Sequence, residues 1–292
     1  MSADALFSLR GKCVVVTGGG KGIGRGIALA MARCGANVVI GGRDAAALNA
    51  TAAALQPLGV SVLCVPGDIT RADDRVRLLD TSLQRFGYVD GWVNNAGSAS
   101  PRDVGRLDGI DESMWDRVVD LNLKSAFFAA QLAARAMTRG GSIVNISSRS
   151  ASYPNPGTGH YGAAKAALES LTRTMAAEWG HRHIRVNAVA PGVVMTDELA
   201  KTFDSESKIR RQVETVPLQR LGTPDDIGPL CAYLVSDAST WTSGALIVRL
   251  TPGDCSDGMS DRHYAYTATV KVGEVSLSGC GDRPEALAAQ PG

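Results

Sequence analysis

The chain has 292 residues, of which 45% are hydrophobic and 20% charged, and its 30 lysine and arginine residues nearly balance its 29 aspartate and glutamate residues. This composition excludes a disordered, collagen-like or coiled-coil chain, and a net charge of +1 gives no electrostatic reason to expect nucleic acid or an anionic membrane as a partner. No apolar run reaches the ~18 residues that a membrane-spanning helix needs, and residues 1–10 lack the apolar core of a signal peptide.

Short β-rich runs alternate with longer helical patterns over most of the sequence. The predicted strands are 13–17, 37–40, 60–65, 91–94, 142–146, 184–188 and 245–250. The predicted helices lie between them, at 22–34, 44–56, 71–86, 112–138, 161–180 and 225–236. Several strands are near-continuous apolar runs, as expected of strands that are covered on both faces. The alternation predicts a three-layer α/β/α fold around a doubly wound parallel sheet of seven strands.

The residues after position 250 depart from this rhythm. Residues 251–292 contain two cysteines and several Gly and Ser residues that interrupt regular structure. They also contain one candidate hairpin, with strands at 264–272 and 274–277 and a turn at Gly273. The last residues are rich in Pro, Ala and Gly and are expected to fray. We therefore predict an α/β domain over residues 1–250 and an atypical C-terminal extension over residues 251–292.

Six cysteines are scattered through the chain without the paired C-x-x-C spacing of a zinc site. Cys13, Cys34 and Cys64 lie inside apolar runs, where a free thiol behaves as a small hydrophobe. This pattern predicts a cytoplasmic protein with reduced thiols and no metal site.

A glycine-rich loop follows the first predicted strand. Its glycines are spaced differently from G-x-G-x-x-G, but the same physics applies: the first permits a tight turn, and the later ones let backbone and helix approach a pyrophosphate. The free N–H groups and partial positive charge of a helix N-terminus favour that anion. A glycine-rich turn without a ligand is the alternative. Because the loop closes the first strand–helix unit, we predict a dinucleotide site at Gly18, Gly22, Ile23 and Gly24.

The end of the second strand indicates which dinucleotide binds. An acidic residue there would bind the adenosine ribose hydroxyls of NAD, whereas an arginine accommodates a 2′-phosphate. Here the strand ends before Arg43, and Lys21 in the glycine loop offers a second cation to the same phosphate. Asp44 complicates this interpretation, because it would either cap the next helix or compete for the ribose. The two cations predict NADP(H) as the cofactor.

Tyr161 and Lys165 are four residues apart in a predicted helix, so the phenol and the ammonium lie on one helix face. A nearby ammonium stabilises a phenolate and lowers the tyrosine pKa towards the range of a general acid or base. Such a pair is common by chance in helices. Ser148 follows the fifth predicted strand and would add a hydroxyl group near Tyr161. The presence of all three residues makes a catalytic site more plausible than the helical pair does alone.

Further motifs follow in order at spacings that resemble one family. They are the loop at 17–24, Asp68 and Ile69 after the third strand, 94–97 after the fourth, Asn122, Ser148, Tyr161 and Lys165, Pro191 and Gly192 with Thr196, and 220–222 with Pro224. Over roughly residues 8–250 the chain resembles the short-chain dehydrogenase/reductase family, in its single-domain branch with a Rossmann fold. It is similar to ketoreductases of the 3-oxoacyl-carrier-protein reductase type.

This resemblance implies a role for each matching residue. Tyr161 would donate a proton to the substrate carbonyl oxygen, Ser148 would position that oxygen, and Lys165 would lower the Tyr161 pKa and bind the nicotinamide ribose. Asn122 would hold a water in a proton relay from Lys165. The other implied cofactor contacts are Asp68 and Ile69 at the adenine, Asn95, Ala96 and Gly97 at the adenosine ribose, and Pro191, Gly192, Val194 and Thr196 over the nicotinamide amide.

The resemblance therefore implies that residues 1–250 form an NADP-binding catalytic domain that interconverts a ketone or 3-oxoacyl group and a secondary alcohol. The partners would be a small carbonyl or alcohol substrate and further copies of the chain, in a dimer or tetramer. The substrate would enter between the loops at 98–107, 150–160 and 196–216. An enoyl- or dienoyl-CoA reductase and a non-catalytic NADP-binding regulator are the alternatives, and the intact Ser148, Tyr161 and Lys165 disfavour both.

Overall fold

The structure is a computed structural model that describes residues 3–201, 205–214, 216, 218–244, 246–256, 263–272 and 275–281. Within these residues the main sheet has six strands, which are β1 (Cys13–Thr17), β2 (Asn37–Gly42), β3 (Val62–Pro66), β4 (Gly91–Asn94), β5 (Gly141–Ile146) and β6 (Ile184–Val189). All five strand pairs are parallel, in the order β3-β2-β1-β4-β5-β6. The prediction of a doubly wound parallel sheet is confirmed.

Helices cover both faces of the sheet. They are α1 (Ala3–Phe7), α2 (Gly22–Arg33), α3 (Ala45–Leu55), α4 (Ala72–Phe86), α5 (Glu112–Val119), α6 (Ser125–Ala136), α7 (Gly159–Trp179), α8 (Asp197–Ala200), α9 (Glu206–Val213) and α10 (Pro224–Val235). One core lies under α2, α3 and α10, around Ile27 and Leu234. The other lies under α4, α6 and α7, around Trp92 and Met175. Among the described helices, none is long and apolar enough to cross a membrane.

The order of the strands determines where a ligand can bind. The chain starts at the central strand β1, moves outward through β2 and β3, and then returns to β4 on the other side of β1. Connections from β1 and β4 therefore diverge, and they leave a crevice at the carboxyl ends of these two strands. The glycine loop and residues 95–98 follow those two ends.

The seventh predicted strand does not join this sheet. The sequence places it at 245–250 as a parallel strand, whereas β7 (Leu246–Ser256) pairs antiparallel with β8 (His263–Val272). The prediction of seven strands is therefore wrong for the described part of the chain, in which the main sheet has six. The reason is local, since only residues 257–262 separate β7 from β8. An antiparallel partner close in the chain costs less loop-closure entropy than a distant parallel one.

The hairpin predicted in the extension is present as an antiparallel pair. β8 pairs with β9 (Val275–Gly281), so the extension contributes to a separate three-stranded sheet. β7 runs across the predicted boundary between residues 250 and 251. The predicted turn at Gly273 and the predicted frayed end at 282–292 lie outside the described residues.

The single helix predicted over 112–138 is interrupted. α5 and α6 are joined by a π-helical turn at Asp120–Lys124, which contains Asn122. A π-helical turn hydrogen-bonds i to i+5, so it holds one residue more than a regular helical turn. Such turns are frequent at functional sites, and this one lies beside the cleft, which Leu121 helps to line.

Candidate active site

A cleft of about 270 Å³ lies at the carboxyl ends of β1, β2, β3 and β4. The glycine loop forms its floor between β1 and α2. Gly18 has φ +67° and donates its N–H to the Gly41 carbonyl at 2.7 Å, which ties the loop to the end of β2. Gly22, also at positive φ (+49°), begins α2. The N-terminal amides of α2 therefore start at the cleft, where the helix dipole favours an anion.

The glycines leave a concave space at this loop, which larger side chains would fill. A Cβ on Gly24 would collide with the Gly18 carbonyl oxygen, and one on Gly22 would lie 3.1 Å from the Thr196 methyl carbon. Thr196 belongs to the segment after β6, so that segment approaches the glycine loop directly. The close backbone approach fits the pyrophosphate of a dinucleotide. Ile23 instead packs partly buried against the core under α2.

The charged residues Lys21, Arg43 and Asp44 line this cleft at the ends of β1 and β2, and Glu198 lines it as well. The Lys21 ammonium lies 2.6 Å from an Asp44 carboxylate oxygen, and both side chains are more than half exposed. Asp44 also caps α3 by accepting a hydrogen bond from the Ala47 N–H at 3.0 Å. The Lys21 ammonium lowers the Asp44 pKa, and Asp44 raises the Lys21 pKa. Asp44 thus caps the helix and also neutralises one of the two predicted phosphate-binding cations, while Arg43 remains exposed to solvent.

The loop after β3 forms a side wall of the cleft. Asp68 and Ile69 both line it. The Asp68 carboxylate accepts hydrogen bonds from the Thr70 N–H at 3.0 Å and from the Thr70 hydroxyl at 2.7 Å. The Asp68 N–H donates in turn to Asp74 on α4, at 2.8 Å. The turn therefore places Asp68 at the cleft and occupies one of its carboxylate oxygens.

Residues 95–97 follow β4, but they contribute in different ways. The Asn95 side-chain amide donates to the Thr17 carbonyl at 2.9 Å, so it fastens β4 to β1 and does not line the cleft. The Thr17 hydroxyl accepts from the N–H groups of Asn95 and Ala96, both at 3.0 Å. Ala96 and Gly97 do line the cleft. Thr17 is thus a supporting residue that its position at the end of an apolar strand could have indicated.

Lys165 lies buried on α7 at the inner end of the site. Its side chain is 3% exposed, and its ammonium donates to the Ile146 carbonyl at 2.9 Å. The ammonium lies 5.7 Å from the centroid of the Tyr161 ring, which places the two residues of the predicted pair side by side. Burial lowers the Lys165 pKa to about 8. Burial also raises the Tyr161 pKa above its usual value, and a hydrogen bond with the Ser148 hydroxyl only partly offsets this. The expectation that Lys165 lowers the Tyr161 pKa towards the working range is therefore wrong for this structure.

Two buried hydrogen bonds hold β5 against α7, and so hold Ser148 near Tyr161. The Asn145 amide donates to the Thr172 hydroxyl at 2.9 Å. The Ser147 hydroxyl donates to the Glu169 carboxylate at 2.7 Å. Ser148 directly follows this anchored strand end and caps the short turn after it by accepting from the Ser150 N–H.

The side chain of Asn122 has a hydrogen-bond acceptor, close to Lys165, that lacks a partner in the described part of the chain. Its amide nitrogen donates to the carbonyls of Ser98 and Val118, at 2.8 and 2.9 Å. Its carbonyl oxygen Oδ1 is buried and has no hydrogen-bond partner among the described residues. A Cβ on Gly97 would lie 2.6 Å from this oxygen and 2.9 Å from the Lys165 ammonium. The absent side chain at Gly97 therefore leaves a polar space between Asn122 and Lys165, which suits a water or ribose hydroxyl.

The segment after β6 closes over the glycine loop. The Pro191 carbonyl accepts from the Arg149 N–H at 2.9 Å, which joins this segment to the residue after Ser148. Val194 forms a parallel bridge with Gly222, and Thr196 caps α8 by accepting from the Leu199 N–H. Gly192 is exposed, and a Cβ there would meet no atom within 4 Å.

Sequence comparisons relate this site to known proteins. A family model described as enoyl-(acyl carrier protein) reductase matches residues 18–249. The 7alpha-hydroxysteroid dehydrogenase of Escherichia coli (strain K12) is 37% identical over 243 residues, which are 82% of this chain and 92% of that protein.

Structural comparisons agree with this relationship. The structure of a 7alpha-hydroxysteroid dehydrogenase complexed with NADH and 7-oxo glycochenodeoxycholic acid has a TM-score of 0.79 at 35% identity, covering 85% of this chain and 95% of that one. A protein described as an NAD(P)-dependent gluconate 5-dehydrogenase from Beutenbergia cavernae, with bound NADP, has a TM-score of 0.77 at 32% identity, with coverages of 83% and 96%.

Proposed function

Because the chain belongs to the short-chain dehydrogenase/reductase family of oxidoreductases, we propose that it interconverts a ketone and a secondary alcohol with NADP(H), using Tyr161 as the general acid and base. A 3-oxoacyl group is one form that the ketone could take. The observation that carries the proposal is the convergence, within the part of the chain that the structure describes, of the Lys165 ammonium and the unpaired Asn122 oxygen at Gly97, which lines the cleft. The Tyr161 ring lies 5.7 Å from the same ammonium.

The chain's own residues would supply orientation and proton transfer. A bound nicotinamide dinucleotide supplies the hydride. As negative charge develops on the substrate oxygen, Ser148 and Tyr161 donate hydrogen bonds to it, and Tyr161 then gives up its proton. The buried Lys165 ammonium stabilises the resulting phenolate, and Asn122 holds a water through which Lys165 exchanges protons with solvent.

Burial sets the protonation state from which Tyr161 and Lys165 act at neutral pH. The raised pKa of Tyr161 keeps its phenol protonated at neutral pH, which is the form that reduction requires. The lowered pKa of Lys165 makes its ammonium a ready proton donor in turn. For oxidation, the same residues would act in reverse, which requires a higher pH.

NADP(H) is proposed over NAD(H) because Arg43 and Lys21 flank the adenosine end of the cleft. Arg43 is exposed and has room to turn towards a 2′-phosphate. Asp44 works against this preference, since it already neutralises Lys21. We also propose that the protein acts as a homo-oligomer, which the molar mass in solution would test.

The substitution Tyr161→Phe tests the mechanism. It removes the proton donor but keeps the ring, so reduction should slow by about 10²–10⁴-fold, while the dissociation constant of NADPH should change little. The measurement is NADPH oxidation at 340 nm against a panel of ketones, together with a titration of NADPH binding.

Tyr88→Phe is the matched control for this variant. Its hydroxyl also makes a hydrogen bond, to the Gly11 carbonyl at 2.6 Å, but it lies outside the site. It should therefore turn over at the wild-type rate. Near-wild-type activity in Tyr161→Phe would refute the mechanism. If wild-type protein binds NADPH and reduces no ketone, then the regulator or a double-bond reductase becomes the better assignment.

A further inference from the structure

Arg75 is a buried cation whose hydrogen bonds go to the loop at the adenosine end of the cleft. Its side chain extends from α4 and is 7% exposed. One guanidinium nitrogen, Nη1, donates to the backbone carbonyls of Ile69 and Thr70, at 2.8 and 2.9 Å. Ile69 lines the cleft, whereas Arg75 is not among its lining residues. Arg75 therefore holds the cleft wall in place without reaching the ligand position itself.

The same guanidinium faces the helical segment on the other side of this wall. Its central carbon lies 5.7 Å from the centroid of the Phe128 ring on α6. Burial lowers the Arg75 pKa, and the carboxylate of Asp120, in the π-helical turn, partly offsets this by favouring the charged form. Leu121 of that turn also lines the cleft. Arg75 thus connects the loop after β3 to the segment that carries Asn122.

Stability alone is a poor explanation for a buried arginine of this kind. Its two hydrogen-bond acceptors are neutral carbonyls, and its Nε has no partner among the described residues. Replacing a buried charged group by a well-packed apolar side chain is often neutral or even stabilising. What a guanidinium adds is direction, because its planar donors fix the orientation of the groups that they bind.

We propose that Arg75 is a positioning residue for the adenosine half of the cofactor. It fixes two successive carbonyls of the loop, so that Asp68 and Ile69 form the adenine-facing wall before any ligand arrives. A wall that is already ordered lowers the entropic cost of binding. This inference rests on the proposed function, since it requires that the cleft binds a nicotinamide dinucleotide.

The test is the affinity of the variant Arg75→Met, which removes the donors and keeps a long side chain. The probes are NADPH and ADP, because ADP contains the adenosine and pyrophosphate of the cofactor without its 2′-phosphate or its nicotinamide half. Calorimetry gives both dissociation constants. Both constants should rise about tenfold, as for the loss of a charged hydrogen bond. The kcat at saturating NADPH should stay within about twofold of wild type, since no group at the reacting atoms has changed.

Arg85→Met is the matched control. Arg85 is also on α4, and its guanidinium lies 5.1 Å from the centroid of the Phe86 ring. Arg85 is exposed, and among the described residues no hydrogen bond or ion pair joins it to the loop after β3. This variant should bind ADP and NADPH as wild type does. Arg75→Lys keeps the charge and can reach one carbonyl, so its affinity should fall between wild type and Arg75→Met.

Two results would overturn the inference. One is an ADP affinity in Arg75→Met and Arg75→Lys equal to that of wild type. The other is an equal fall of kcat and cofactor affinity in both variants, which a general loss of packing would produce. If wild-type protein binds neither ADP nor NADPH, the proposed function is wrong, and the inference about Arg75 fails for that reason. The wild-type titration therefore separates this outcome from a failure of the Arg75 inference alone.

Discussion

Burial changes the proton affinities of two neighbouring side chains on α7 in opposite directions. It raises the pKa of the Tyr161 phenol and lowers the pKa of the Lys165 ammonium to about 8, because in each case it disfavours the charged form. At neutral pH the phenol therefore keeps its proton, and the ammonium is close to losing one. Both groups therefore carry a transferable proton at neutral pH.

We expect kcat/KM for ketone reduction to fall as the pH rises through about 8. Below this pH, Lys165 carries the charge that stabilises the phenolate formed at Tyr161; above it, that charge is lost. The measurement is a pH profile of kcat/KM for wild type and Lys165→Arg. Arginine stays charged over this range, so the decline near pH 8 should disappear in the variant even if its rate is lower. An unchanged decline would assign it to another group.

Asp44→Asn should increase the preference for NADPH over NADH. The change removes the charge that neutralises Lys21, and it keeps a good helix cap for α3. Since both side chains are largely exposed, the ratio of the two kcat/KM values should rise only about two- to fivefold. Asp80→Asn, at an exposed position of α4, makes the same charge change away from the site and should leave the ratio unaltered. A fall in the ratio would show that Asp44 does not oppose the phosphate.

Single residues were predictable where their neighbours in sequence define their role. The Tyr161/Lys165 spacing and the glycine loop are of this kind. The Lys21–Asp44 ion pair and the hydrogen bonds of Arg75 were not predicted, because they depend on distances across different loops. An arginine on a helix is normally solvated, so nothing in the sequence around Arg75 distinguishes it from the exposed Arg77 two residues later.

At the scale of elements, the six strands of the main sheet lie within two residues of their predicted positions, because apolar runs between turn residues identify buried strands well. The π-helical turn was not predicted, since one extra residue hardly changes a helical hydrophobic pattern. The partner of β7 was not predicted either. The sequence of a strand does not by itself determine which other strand it pairs with.

Helices α2 and α10 approach closely through glycines, which determines the position of the glycine loop. A Cβ on Gly26 would lie 2.5 Å from the Pro224 Cβ, and one on Gly228 would lie 2.7 Å from the Gly26 carbonyl oxygen. α2 also begins at Gly22, directly after Lys21, which lines the cleft. Packing between these helices and cofactor binding are therefore linked.

Gly26→Val should lower the free energy of unfolding by about 1–3 kcal/mol, because the added side chain forces the two helices apart. It should also weaken NADPH binding, since α2 and its glycine loop move together. Urea denaturation and NADPH titration measure the two effects. Gly180→Ala is the control, because a Cβ there meets nothing within 4 Å and its φ of −56° suits alanine. Full stability of Gly26→Val would contradict the close packing.

At the scale of the whole molecule, the cleft and the C-terminal extension are formed by different parts of the chain. Among the residues that the structure describes, those that line the cleft lie between positions 17 and 198. β8 and β9 belong to a sheet of their own with β7. The division into a catalytic domain of residues 1–250 and an extension of residues 251–292 stays a prediction, and its boundary falls inside β7, which begins at Leu246.

A chain that ends at residue 250 should therefore still bind NADPH, with a dissociation constant within about twofold of the full-length value. The physical reason is that no described cleft residue is removed. The measurement is an NADPH titration of both chains, with the melting temperature recorded beside it to follow folding. A folded truncated chain that no longer binds NADPH would show that the extension belongs to the catalytic unit.

The π-helical turn at Asp120–Lys124 has a consequence for how this chain can change in length. Each helical residue advances the helix by about 100°, so the turn sets the rotation of α6 as well as the position of Asn122. The face of α6 that meets the sheet consists of small residues, including Ala129, Ala130 and Ala133. Deleting one residue of the turn would swing that face away from the sheet and withdraw the Asn122 oxygen at the same time. We therefore expect insertions and deletions in these five residues to be poorly tolerated, because one event would disturb both the core and the position of Asn122.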